Sequence, residues 1–228
     1  AEPIHAGGGC VAPRDGYLKK LRKLTKELGI LLIFDEVLTG FRVAWGGAQE
    51  RYGVKPDLTC IAKVAGGGYQ LGGFGGRKEL MEAILPCDEG FVYHGGTYNA
   101  HAVSVAAGYA TLKELSKSGT YSKLERNGNM LFNGLRDHAK DRGVDTWVEN
   151  IGSLGEVFFT DKEVRTWRDE LGVDGAKWER WFLSAISEGV FFGVPHPDGH
   201  AFTSLAHTDD VIEKSLEILD GAFKTVAE

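Results

Sequence analysis

Two charged residues at the ends of two short apolar runs are the first candidates for chemistry. Residues 30–34 (ILLIF) are five consecutive apolar side chains that stop at Asp35-Glu36, and residues 58–62 (LTCIA) form a second run that stops at Lys63. Runs of this length predict short strands buried on both faces, as in a parallel sheet. Ligands of open α/β sheets bind in the crevice beyond the carboxyl ends of the strands. On adjacent strands, a carboxylate at 35 and an amine at 63 would share that crevice. Each has a plainer reading when taken alone: Asp35 as a helix cap or loop residue, Lys63 as a solvated surface lysine. Glycines follow at 66, 67 and 68 and again among residues 72–76, and a backbone without Cβ atoms can approach a ligand closely. The run lacks the strand–GxGxxG–helix order and no Gly-Lys-Ser/Thr follows it, which sets aside dinucleotide and P-loop readings.

Other candidates have simpler explanations. His196, Asp198 and His200 surround Pro197 and Gly199, a turn composition rather than a metal site. His94 and His101 flank Thr97 and read as packed or solvated histidines. Trp178, Trp181 and Phe182 have helical spacing and read as core or as a domain interface.

The elements that must position Asp35 and Lys63 alternate between helix and strand. In residues 15–29, Leu18, Leu21, Leu24 and Leu28 recur at steps of three and four, predicting a surface-packed helix started by Asp15 and ended by Gly29. Helix then buried strand is half of an α/β repeat. Residues 66–76 read as loop, 78–85 as a short helix, and 99–115, rich in Ala, Val and Gly, as a helix packed closely on its neighbours with Thr97 as a cap candidate. Another helix covers 121–141. A boundary near Thr120 divides the chain into 1–120 and 121–228. In the second part, strands around 146–149, 156–160, 190–193 and 201–204 alternate with helices around 177–188 and 209–226, a small α+β domain. Thr208 is placed to cap the last helix.

Composition narrows the function. The 228 residues are 43% hydrophobic, enough for a sizeable core, and the net charge of −6 with no basic stripe argues against a nucleic-acid partner. Three well-separated cysteines, Cys10, Cys60 and Cys87, suggest a reducing compartment, with the cytoplasm as default. No run is long and apolar enough to predict a membrane span, and no export leader is seen. The 32 glycines, about twice ordinary usage, cluster without a period and point to tight loops.

The pattern Leu-Leu-Ile-Phe-Asp35-Glu36-Val37-Leu-Thr-Gly40-Phe-Arg42, then Pro56-Asp57-Leu-Thr-Cys-Ile-Ala-Lys63 and Gly66-Gly67-Gly68, resembles the signature of the class III aminotransferases. It is most similar to their glutamate-1-semialdehyde aminotransferase branch. Glu2-Pro3-Ile4, residues 13–24, residues 72–76, Gly95-Gly96-Thr97 and Ala206-His207-Thr208-Asp209 extend the likeness over nearly the whole chain. The resemblance implies an α/β fold, the C-terminal part of a fold type I aminotransferase with a partial large-domain sheet, followed by the small α+β domain. It also implies a transaminase that uses pyridoxal 5'-phosphate (PLP), with Lys63 carrying the cofactor as a Schiff base and then serving as general base and acid. Asp35 matches the carboxylate that keeps the pyridine nitrogen protonated, and Val37 the apolar residue against the ring face. Gly96 and Thr97 match the segment that reaches the cofactor phosphate of a partner subunit, so a homodimer follows. Glu36, on the opposite strand face, is expected to support the site, and Arg42 is left without a role.

Chains of this family are about twice as long. Their N-terminal half supplies the Gly-Ser/Thr phosphate loop, the ring-stacking aromatic and much of the pocket. A chain opening on Ala-Glu-Pro-Ile without a methionine reads as one entered in mid-domain, with an exposed apolar strand face and an open sheet edge to be covered. A second copy, a separately encoded N-terminal half or residues removed beforehand would each serve. The expected reaction moves an amino group between an amine or amino acid and a keto or aldehyde acceptor. The alternatives are an aminomutase, or a non-catalytic subunit that needs its missing half.

Overall fold

A computed structural model describes residues 1–85, 90–193 and 199–227. The chain divides into two compact units, Ala1–Pro3 with Arg14–Lys117, and Ile4–Pro13 with Ser118–Glu228. Residues 4–13, read from sequence as part of the first domain, thus pack with the second.

The first unit runs α1 (Tyr17–Glu27), β1 (Ile33–Glu36), α2 (Gly47–Tyr52), β2 (Leu58–Ile61), a 3-10 turn (Lys63–Gly66), β3 (Gly73–Gly76), α3 (Lys78–Met81) and α4 (Ala102–Leu115). β1 and β2 are parallel, with Asp35 opposite Cys60, and β3 joins β2 antiparallel, with Phe74 opposite Cys60. The third strand hides in the sequence because its residues are Gly-Phe-Gly-Gly, which read as loop. Gly76 is needed there, since a Cβ would fall 2.1 Å from the Asp57 carbonyl oxygen. Helix α1 starts at Gly16, in the left-handed region, and makes no side-chain cap bond, so Asp15 is not its cap. Gly29, at φ 66°, ends it, and the Ile30 N–H closes on the Thr25 carbonyl. Only the front of the leucine stripe is covered: Leu18 packs with Leu21, Leu32, Phe34 and Val54, whereas Leu24 and Leu28 are exposed.

β1 begins three residues later than the apolar run and alternates in burial. Leu32 and Phe34 are buried, but Leu31 and Ile33 are 46% and 43% exposed, so the strand is covered on one face by this chain, not on both. On its outer edge Ala1 donates its N–H to the Ile33 carbonyl and accepts from the Asp35 N–H, the pattern of a parallel bridge. At the opposite end of the sheet Asp57 is buried, binding the Leu32 N–H, Arg22 and Arg77. Burial acts to raise its pKa, but those hydrogen bonds and the positive Arg22 outweigh it and hold the carboxyl at about 2.

The second unit holds α5 (Thr120–Asp141), β4 (Trp147–Ile151), β5 (Leu154–Phe158), α6 (Trp167–Glu170), α7 (Gly175–Ser187), β6 (Ala201–Phe202) and α8 (Asp209–Ala227). β5 is central and antiparallel to both neighbours. The core lies between this sheet and α5, α7 and α8: Phe132, Leu135, Trp178, Trp181, Leu219 and Phe223 are almost completely buried. The tryptophan cluster is therefore core. The strand expected at 190–193 is absent: Gly189, at φ 97°, ends α7, and the Val190 N–H turns back to the Ala185 carbonyl. Thr208 does cap α8, accepting from the Val211 N–H. The segment Ile4–Pro13 folds back through paired bonds between His5 and Val11 and buries Ile4, Ala6 and Cys10.

Candidate functional site

β1 and β2 run in parallel and in register, so they deliver Asp35 and Lys63 to the same end of the sheet. Asp35 is opposite Cys60, and Lys63 leaves three residues further along the neighbouring strand. Strand alternation turns Asp35 outward between buried Phe34 and Glu36. Its Oδ1 accepts the Val37 N–H at 3.0 Å. Val37 is half-buried, and Asp35 and Lys63 are both exposed.

Lys63 has an unusual backbone. Its φ of 45° lies in the left-handed region, which a residue with a side chain enters at a cost. The conformation swings the chain from β2 into the 3-10 turn, where Ala65 donates to the Ala62 carbonyl and Gly67 to that of Val64. α4 lies hard against this turn. A Cβ at Gly108 would sit 2.3 Å from the Ala65 carbonyl oxygen, and one at Gly67 would sit 2.6 Å from that of Ala107. The small-residue composition of α4 thus has a direct structural cause.

Gly96 and Thr97 stand in an exposed turn that leads into α4, with Asn99 donating to the Gly96 carbonyl. Thr97 is not the cap of that helix. His101 is, its Nδ1 accepting the Ser104 N–H at 3.4 Å. His94 meets the Phe74 ring edge to face at 5.1 Å. Phe74, His94 and His101 border a cavity of about 820 Å³ that Gln70, Tyr98 and Asn99 also line. His196, Pro197 and Asp198 lie outside the described residues, as does Cys87. His200 packs edge to face on Phe202. Among the described residues no group of three or more His, Cys, Asp and Glu side chains is placed to hold a metal ion.

Sequence reasoning understated Glu36. Its side chain is 1% exposed, and its carboxylate accepts from Thr39 Oγ1 at 3.0 Å, from the Ala48 and Gln49 N–H groups, and from Gln49 Nε2 at 3.1 Å. The signal in the chain is its position between Phe34 and Val37 on a strand end, next to outward-facing Asp35, which turns it inward.

The description Aminotransferase class-III matches residues 1–223. The chain is 44% identical over 223 residues to a glutamate-1-semialdehyde 2,1-aminomutase of Methanococcus maripaludis, covering 98% of this chain and 51% of that protein. A protein of the same name from Thermodesulfovibrio yellowstonii is 42% identical, with 98% and 52% covered. Among solved structures, an omega-transaminase from Sphaerobacter thermophilus superposes with a TM-score of 0.87 at 27% identity, covering all of this chain and 51% of that one. A beta-phenylalanine aminotransferase from Variovorax paradoxus gives 0.85 at 32% identity, with 97% and 50% covered. The chain spans about half the length of the relatives it matches. Its α/β fold is that of part of a fold type I aminotransferase, and the chain belongs to the class III aminotransferase family.

Proposed function

We propose that this chain is the lysine-bearing half of a PLP-dependent class III transaminase, with Lys63 as the residue that carries the cofactor. The observation that supports this most is the delivery of Asp35 and Lys63 by adjacent parallel strands to one sheet end. The residues suit the group. The amine is exposed, and the Asp35 carboxylate spends one oxygen on a backbone N–H. When bound, the cofactor supplies an electron sink for the pair left on the substrate carbon after proton loss. Asp35 would hold a proton on the pyridine nitrogen, and Val37 would pack on the ring face. The Lys63 amine would hold the cofactor and move a proton at the reacting carbon of the substrate.

Gly96 and Thr97 would hold the phosphate of a second copy, and the working unit would then be a homodimer. The exposed apolar side chains of Tyr98, Val103, Val105 and Tyr109, along this turn and α4, are in keeping with burial against that copy. Exposed Leu31 and Ile33 likewise suit coverage by an N-terminal half, which would bring the phosphate loop and the stacking ring. The substrates are a small amine or amino acid and a keto or aldehyde acceptor. Cys10 and Cys60, which form no disulfide with one another, fit a cytoplasmic setting, and among the described residues no helix is long and apolar enough to cross a membrane.

Borohydride reduction in the presence of PLP, followed by peptide mass spectrometry, tests the central assignment. The expected result is an adduct on Lys63 that disappears in Lys63→Ala. An unmodified Lys63 at saturating cofactor would overturn the assignment. The 44% identity to a protein named an aminomutase favours a second reading, an internal amino shift in an aminoaldehyde. Turnover of such a substrate without a separate donor and acceptor would select it.

A further inference from the structure

Glu36 is the sequence neighbour of both Asp35 and Val37, and its carboxylate is heavily anchored. It is buried beneath the strand end and accepts four hydrogen bonds, none from a cationic side chain. Two of the donors are backbone N–H groups of Ala48 and Gln49, a dozen residues further along the chain. The Glu36 carbonyl also accepts the Gly40 N–H at 2.8 Å. The surroundings are fitted to the carboxylate: Gly47 adopts φ 69°, and a Cβ there would lie 2.2 Å from Glu36 Oε2. The loop from Val37 to Gly47 is therefore closed onto a single side chain.

We propose that Glu36 is a positioning residue that fixes the direction of Asp35 and Val37 toward the cofactor, an inference that rests on the functional reading above. Holding residue 36 inward leaves Asp35 one direction only on the strand, and Val37 opens the turn that the Gly40 N–H closes on the Glu36 carbonyl. The Val37 N–H to Asp35 Oδ1 bond then locks the carboxylate against the turn. A glutamine cannot replace Glu36 fully. Each carboxylate oxygen accepts one fixed backbone N–H, so an amide in either orientation sets its NH2 group against one of them.

The test is amide exchange at Val37, followed by NMR in the 228-residue chain, because that N–H reports the Asp35 carboxylate directly. Glu36→Ala is expected to speed exchange at Val37 by on the order of tenfold, the loss of one hydrogen bond, with a smaller rise in Glu36→Gln. The α1 amide of Leu28, bonded to the Leu24 carbonyl, should be unaffected. Unchanged Val37 exchange in both variants overturns the proposal, and so does an equal rise at Val37 and Leu28, which would mark general destabilisation. If Glu36→Ala fails to fold, Glu36→Gln carries the same comparison. Borohydride trapping in the same samples keeps the two ideas apart. No adduct in the unmutated chain removes the cofactor reading, while the exchange data still decide whether Glu36 orients Asp35. With an adduct present, weaker PLP retention in the variants at an intact Lys63 is the expected outcome.

Discussion

At the scale of single residues, three carboxylates show how surroundings divide one chemical group among different tasks. Asp35 is exposed and lightly bonded, suited to meet a ligand. Asp57 is buried between two guanidinium groups and a backbone N–H, and its pKa of about 2 keeps it ionised through the ordinary pH range. Glu156, at the centre of β5, is the opposite case: burial pushes its pKa well above the usual range, and the bond from Trp178 Nε1 only partly offsets this. Its carboxyl is therefore held protonated in the fold while the unfolded chain ionises near pH ~4.3. A raised folded pKa contributes stability that is complete below the unfolded value and is lost as pH rises through the folded value. Glu156→Gln should accordingly flatten the alkaline decline of stability and leave acid stability almost unchanged, as read from urea midpoints between pH 4 and 9. An identical decline in the variant would show that another group causes it.

At the scale of elements, the contact of α4 with the Lys63 turn links the two ends of the proposed site. Gly108 and Gly67 let helix and turn approach until carbonyl oxygens lie where side chains would be, and the turn they support holds Lys63 at positive φ. Gly108→Ala must displace the Ala65 carbonyl, a rigid neighbour. We expect a loss of about 1–3 kcal/mol in chemical denaturation, as for overpacking elsewhere, together with slower formation of the Lys63 adduct. Much of this arrangement was legible from the chain. The runs that end at 35 and 63, the glycine that ends α1, the tryptophan spacing of α7 and the cap of α8 are local patterns. β3 was not, because three of the four residues in Gly-Phe-Gly-Gly disfavour strands and the segment is held by its pairing with Leu58–Ile61. The Glu36 anchorage was hidden for a similar reason: its partners come from residues 39, 48 and 49, and no periodicity connects them to it. The apolar run at 30–34 misled differently, since hydrophobicity records what a strand is built to bury and not which chain buries it.

At the scale of the whole molecule, the second unit is discontinuous in sequence. Ile4–Pro13 packs with Ser118–Glu228, burying Ile4, Ala6 and Cys10, and Cys10 Sγ reaches the Leu154 carbonyl at 3.8 Å. A chain limited to 118–228 would lose that cover from β5 and Phe158. Such a fragment should unfold at lower urea than the same unit in the whole chain, and a synthetic peptide of residues 4–13 added in trans should restore part of the difference. No effect of the peptide at millimolar concentration would show that the segment is dispensable. The order of synthesis gives the segment a further property. Residues 4–13 leave the ribosome more than a hundred residues before the sheet that receives them, so during translation they carry apolar side chains that this sheet cannot yet cover. Closing a loop of that length is a slow, non-local step. The second unit can therefore complete its fold only after the first has been made, which places the lysine-bearing sheet ahead of it in the life of every new chain.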